Sequence, residues 1–241
     1  SYLMKPTSVD DLPTGPTQRF GNNRRKRAIT SVDLRTKNAV APIRNQKSCG
    51  SCWSFATIST METSNFKKTG KLLDLSEQQF INCDRNDKGC NGGWMETAYN
   101  YAKTTGIAQE STNPYQARQT TCTTPTGTTV KVASYTRLQS KDTTSMMNAL
   151  NQGYSLAIAM RSGTREFMYY TGGILDDPTD CPDSSIDHAV VVVGYGTANN
   201  VPYWIIRNSW GTGWGESGYV RIKRGINYCN MESYPFFVNT V

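Results

Sequence analysis

The chain has 241 residues, a formal net charge of +7 at pH 7, seven cysteines and a single histidine. No stretch approaches the roughly 18 consecutive apolar residues of a membrane-spanning helix, and one histidine among cysteines expected to pair leaves too few ligands for a metal centre. Residues 1–27 hold six basic and two acidic side chains, so the remaining chain carries only +3 and shows no basic, aromatic-interleaved stripe for nucleic acid.

In chain order, residues 1–27 are polar, rich in Pro, Thr and Asp, and without periodicity, which reads as a linker or tail. The chain opens on Ser1 and carries no signal-peptide pattern, so an upstream segment is expected to have been removed. The basic run Arg24-Arg25-Lys26-Arg27 reads as a processing site, with cleavage after Arg27 and a mature start at Ala28; a solvated charge cluster is the plainer alternative.

The segment Gln46-Lys47-Ser48-Cys49-Gly50-Ser51-Cys52-Trp53-Ser54-Phe55 carries the most chemistry. Cys52 opens an uncharged run to Met61 that suits a buried helix. A thiol at a helix N-terminus sees the positive end of the macrodipole, which favours the thiolate nucleophile. The one available general base is His188. Downstream, Leu75–Ile81 suggests a helix capped by Asp74 or Ser76, and Met95–Lys103 another, ending at Gly106. The second half reads as strands over Ser155–Met160, Ala189–Tyr195, Tyr203–Arg207 and Tyr219–Lys223. If the strands around Gly196–Asn200 form a hairpin turning at Ala198–Asn199, His188 falls opposite residue 209 and next to Asn208. An amide oxygen there accepts the imidazole N–H and fixes its tautomer. The stretch Gly213-Trp214-Gly215-Glu216-Ser217-Gly218 fits a dinucleotide-binding glycine pattern, but a strand rather than a helix follows, so turns are the expected role.

These motifs together resemble the papain and cathepsin family of cysteine peptidases, from about Ser31 to about Phe237: Cys49-Gly50-Ser51-Cys52-Trp53, then His188 and Asn208 at 136 and 156 residues after Cys52. The resemblance implies an α+β, two-lobe fold with a cleft between a mostly helical lobe (28–136) and a β-barrel-like lobe (137–241). It implies a nucleophile Cys52, base His188, orienting Asn208 shielded by Trp210, and an oxyanion donor Gln46. It implies a cleft wall at Gly92 and Gly93, with Asp187 beside the substrate. The matched pocket for the second residue on the acyl side is Trp94, Met95, Ala157, Ile186, Ala189 and Tyr234, all suited to a bulky apolar side chain. By itself the sequence leaves the connectivity of six cysteines open; the family pattern pairs Cys49–Cys90, Cys83–Cys122 and Cys181–Cys229 and leaves Cys52 free, with its pKa expected to fall.

The implied activity is endopeptidase, closest to cathepsin L, because the 37 residues between Cys52 and Cys90 leave no room for an occluding insertion. A peptide ligase and a non-catalytic binding or toxin protein are the competing readings. No cofactor is implied. Expected partners are peptide or protein substrates, the enzyme's own propeptide (of which residues 1–27 would be the end, lying in the cleft) and cystatin-type inhibitors, acting on a monomer. The cysteine usage places the protein in the secretory pathway, a lysosome or digestive vacuole, or outside the cell.

Overall fold

The computed structural model describes residues 3–5, 7–12, 15–21, 29–181 and 185–241; the expected processing site at Arg27 and the mature start at Ala28 lie outside them. Its helices are α1 (Cys52–Thr69), α2 (Glu77–Cys83), α3 (Met95–Thr104), α4 (Thr143–Asn151) and α5 (Arg165–Met168). Its strands are β1 (Thr7–Ser8), β2 (Val32–Asp33), β3 (Ile107–Ala108), β4 (Thr129–Val130), β5 (Val132–Arg137), β6 (Leu156–Met160), β7 (Ile174–Leu175), β8 (Ser185–Ile186), β9 (His188–Ala198), β10 (Val201–Arg207), β11 (Tyr219–Lys223) and β12 (Phe236–Thr240).

Helix α1 is buried from Cys52 to Asn65 although it carries many hydroxyls. The hydroxyls are satisfied inside the helix: Ser54, Thr57, Thr60 and Thr63 donate back to the carbonyls of Ser51, Trp53, Thr57 and Ser59. Such back-bonding lets a hydroxyl-rich run enter a core without orphaned donors. The helix ends where Gly70 turns left-handed at φ 73° and returns its N–H to Phe66.

The main sheet runs β5-β12-β6-β9-β10-β11-β7, with β2 also on β9. Strand β9 is covered on both faces, which explains its unbroken run of four valines. Ala189, Val191 and Val193 join the core beneath α1, whereas Val190 and Val192 join the core on the opposite face with Trp204 and Phe237. Strand β5 pairs with β12 along its length, so the expected lobe boundary at 136/137 falls inside a strand.

The hairpin register differs from expectation. The turn sits at Asn199–Asn200, both with positive φ (48° and 63°), the pattern of a two-residue type I′ loop. Val201 lies opposite Ala198, and a bulge between Ile205 and Ile206 brings Arg207 opposite Val191. Continued one residue, that register puts Asn208 opposite Val190. His188 is then its diagonal neighbour on the same face, rather than next to a residue directly opposite.

The three disulfides join Cys49 to Cys90, Cys83 to Cys122 and Cys181 to Cys229, and Cys52 is free. The tail is not a loose linker where it is described: Leu12 is buried in the core shared by α1 and β9.

Candidate active site

Two loops and one helix end meet at the cleft. Cys52 is the first residue of α1, and its thiol is fully buried. The loop before it is held by Gln46, whose main-chain N–H donates to Ser209 O at 2.8 Å. The Gln46 side chain is also fully buried. Its Oε1 accepts the Ser209 hydroxyl at 2.6 Å and its Nε2 donates to Cys49 O at 2.9 Å. Because the hydroxyl takes the oxygen, the amide's N–H side faces the Cys49–Cys52 turn. Ser209 is a positioning contact that sequence reading missed; it sits between two residues already singled out, Asn208 and Trp210.

His188 Nε2 lies 2.7 Å from Asn208 Oδ1. The Ser209 main-chain N–H also points at that oxygen, at 2.8 Å, and can only donate. The amide oxygen is therefore correctly identified, and Nε2 carries the imidazole proton. Nδ1 is left as the unprotonated nitrogen, buried and without a hydrogen-bond partner among the described residues. Trp210 covers the ring at 4.8 Å between centroids and 30° between planes, and Phe167 closes the edge at 6.3 Å. The glycines after Trp210 form turns, as expected. At Gly218 (φ 92°) a Cβ would meet Ile43 at 2.6 Å, so nothing larger than glycine fits.

Asp187, next to His188, is turned away from the imidazole. Its carboxylate accepts Ser162 N–H, Ser162 hydroxyl and Gly163 N–H, and pairs with Arg161 at 3.1 Å. Its main-chain carbonyl faces the cleft.

The opposite wall is Gly92–Gly93, tied to the nucleophile loop by the Cys49–Cys90 bridge and by Gly50 N–H to Cys90 O at 2.8 Å. Gly93 lies flat on the Trp53 ring, where a Cβ would come within 2.5 Å. Met95, Ala157, Ile186, Ala189 and Tyr234 are buried in one cluster, with Trp94 packed against it. Trp94 meets the Tyr234 ring edge-on at 5.7 Å.

The cleft between these walls is occupied by the tail. Met4 N–H donates to Asp187 O at 2.9 Å, and Met4 packs over Gly92. Thr7 and Ser8 pair antiparallel with Ile186 and Ser185. Tyr234 donates its hydroxyl to Val9 O at 3.1 Å, and Leu12 enters the apolar cluster beyond.

Burial reverses the expected electrostatics of the pair. Burial pushes the Cys52 thiol up to about 12, against the opposing pull of the Ala189 and Trp53 main-chain N–H groups. Burial pushes His188 down to about 4, against the Asn208 hydrogen bond and the Asp187 charge. The described form thus holds a neutral thiol and a neutral imidazole. The expected fall of the cysteine pKa is not seen, because a helix N-terminus cannot offset complete removal from water.

The papain family cysteine protease model matches residues 28–239. Chymopapain of Carica papaya is 44% identical over 197 residues, covering 80% of this chain and 54% of that protein. Human cathepsin L2 is 40% identical over 217 residues, covering 85% of this chain and 65% of that protein. This chain therefore spans between half and two thirds of these relatives' length. Among solved structures, a Carica candamarcensis cysteine protease in complex with E-64 superposes with a TM-score of 0.81 at 38% identity, over 88% of this chain and 99% of the other. Bromelain of Ananas comosus, also with E-64, gives 0.81 at 33% identity, over the same shares. The chain belongs to the papain family of cysteine proteases.

Proposed function

We propose that the protein is a cysteine endopeptidase in which residues 3–5 and 7–12 cover an assembled site. The observation that carries this reading is the His188 arrangement. Nε2 is locked to Asn208 Oδ1, and Nδ1 is left without a hydrogen-bond partner on the strand that also aims the Ala189 N–H at the Cys52 thiol.

Once the tail leaves, water and the helix dipole act on the thiol together, and its proton passes to Nδ1. The thiolate attacks a peptide carbonyl, and His188 returns the proton to the leaving amine. The tetrahedral oxygen is stabilised by the Cys52 N–H and the Gln46 amide; loss of one such donor costs about 3–4 kcal/mol of transition-state stabilisation. Water activated by the neutral imidazole then hydrolyses the Cys52 thioester. The Asp187 carbonyl and the Gly92–Gly93 main chain hold extended substrate, on the surfaces where the tail now lies. The pocket of Trp94, Met95, Ala157, Ile186, Ala189 and Tyr234 takes a bulky apolar side chain. Disulfides fit a secretory-pathway or extracellular protein; we place it in a digestive or lysosomal compartment or outside the cell. Cleavage after Arg27 starts the mature chain.

The test is hydrolysis of a hydrophobic-Arg fluorogenic dipeptide in mildly acidic reducing buffer, with the tail removed. The expected result is activity that is blocked by E-64 and absent from Cys52→Ala. A tail-free protein that neither hydrolyses the peptide nor reacts with E-64 would overturn the reading.

A further inference from the structure

The tail makes a second contact that covering the cleft does not require. Beyond Leu12, residues 18–20 lie on the flank of the β lobe, against the end of β5 and the first turns of α4. Gln18 forms a parallel bridge with Leu138: its N–H donates to Arg137 O at 2.9 Å, and its carbonyl accepts from Gln139 N–H at 3.1 Å. Arg19 Nε donates to Gln139 Oε1 at 2.7 Å. Phe20 N–H donates to Ser145 Oγ at 2.9 Å, and its carbonyl accepts from Asn148 Nδ2 at 2.9 Å. The Phe20 ring rests on Phe237 at 4.9 Å and meets Tyr154 edge-on at 6.3 Å.

The partners are themselves held in place. The Ser145 hydroxyl donates to Asp142 Oδ2 at 2.7 Å, which directs its lone pairs toward the incoming N–H. Asp142 is fixed in turn as the N-cap of α4, its Oδ1 accepting Ser145 N–H at 3.0 Å. Tyr154, the wall of the aromatic slot, donates to Asn239 Oδ1 at 2.6 Å. The main-chain polar groups of Gln18 and Phe20 are all matched, and one aromatic side chain fills a slot. This is how a groove takes an extended peptide.

We propose that this flank is a second docking site, whose ligand is the chain's own extended Gln18-Arg19-Phe20, and that it makes the tail a two-site cover which stays in place after cleavage behind Arg27. The inference rests on reading residues 3–5 and 7–12 as an inhibitory cover. Arg27 follows Phe20 in sequence, so both docking segments end up on the same released fragment. Only residues 13–17 link them. A fragment anchored at Phe20 therefore presents its cleft segment at an effective concentration on the order of millimolar. Cutting behind Arg27 leaves that tether intact, whereas a cut between Leu12 and Gln18 destroys it.

The experiment follows the tail itself, in a Cys52→Ala background so that catalysis plays no part. The Ser1 amine carries a fluorophore, the chain is cut in the Arg24–Arg27 run by a dibasic-specific endoprotease, and tail release is read by anisotropy on dilution. With Phe20 intact, the cut tail should persist through gel filtration. Phe20→Ala should speed its release by about tenfold, since a half-buried aromatic anchor is lost from the docked form alone. Asn148→Ala, which removes the donor to the Phe20 carbonyl, should speed it several-fold, on the order of one lost hydrogen bond. A cut tail that leaves at once with Phe20 intact, or release unchanged by both substitutions, overturns the proposal. Because no step needs a working thiol, an inactive tail-free enzyme would sink the peptidase reading without touching this result.

Discussion

Leu12→Ala tests whether the cover controls the thiol. Leu12 is only 8% exposed and sits in the cluster shared with Trp94, Ile186 and Tyr234. Truncating a buried leucine costs about 2–5 kcal/mol; at the rim of a cleft that can partly collapse, about 2 kcal/mol is the fair figure. The loss falls on the docked tail alone, because the undocked leucine is solvated in either protein. The open fraction should therefore rise about thirtyfold. The assay is alkylation of Cys52 by iodoacetamide in the full chain, followed by mass. It is specific because Cys52 is the free cysteine. In the covered form the thiol is held at about 12 against an ordinary value of 9.0, so near pH 8 its thiolate content is about a thousandfold lower and reaction must pass through the open form. The alkylation rate should thus follow the open fraction and rise about thirtyfold. An unchanged rate would show that the thiol is buried by the two lobes themselves, and the tail's regulatory role would fall.

Two other outcomes follow. Asn208→Ala leaves the buried Nε2–H of His188 without its 2.7 Å acceptor. The unmet donor costs about 1–3 kcal/mol, so kcat/KM of the tail-free enzyme should fall by about tenfold to a hundredfold with KM little changed; a fall in KM-determined binding alone would contradict the orienting role. Glu77 is pushed up to about 8, chiefly by burial, with Arg44 pulling the other way. A carboxyl raised in the folded state gives stability that is complete below its unfolded value near 4.5 and is lost as pH rises through about 8. Urea midpoints should therefore decline from pH 5 to pH 9, and Glu77→Gln should flatten that decline; a parallel decline in the variant would assign it to other groups.

How far the sequence could be read depended on whether the information was local. Helix starts were local: Ser76 caps α2 through Gln79 N–H, and Cys52 opens α1, as their sequence contexts suggest. Strand β9 was legible from its valines, and the disulfide pairs followed from family resemblance alone. The turn register was missed by one residue because two asparagines accept positive φ, and the bulge at Ile205/Ile206 leaves no sequence mark. Strands β5 and β12, which pair at long range, were passed over because each is only partly apolar. The composition of the tail reads as a linker, since its docking depends on isolated residues, Met4, Leu12 and Phe20, spaced without period in a polar background; its place in the cleft was expected from the family resemblance alone. The cysteine's electrostatics were misread because a helix N-terminus is visible in sequence, whereas the complete burial of Cys52 depends on the tertiary fold.

The two protonation states make the cover economical. Beneath the tail, the neutral thiol and neutral imidazole hold one proton between them. The thiolate–imidazolium pair proposed for the open enzyme also holds one. Opening therefore exchanges no proton with solvent for these two groups over the range where both descriptions hold, roughly above pH 4. What opening changes is the medium: water and the α1 dipole stabilise separated charges that the buried site cannot. The tail thus acts on the same chemistry in two ways. In the proposed reading it fills the surfaces that would take substrate, and the burial of Cys52 keeps the thiol protonated. Inhibition of this kind needs no distortion of Cys52, His188, Asn208 or Gln46. That accounts for a site whose hydrogen bonds, from Asn208 to Ser209 to Gln46, are already in place beneath its cover.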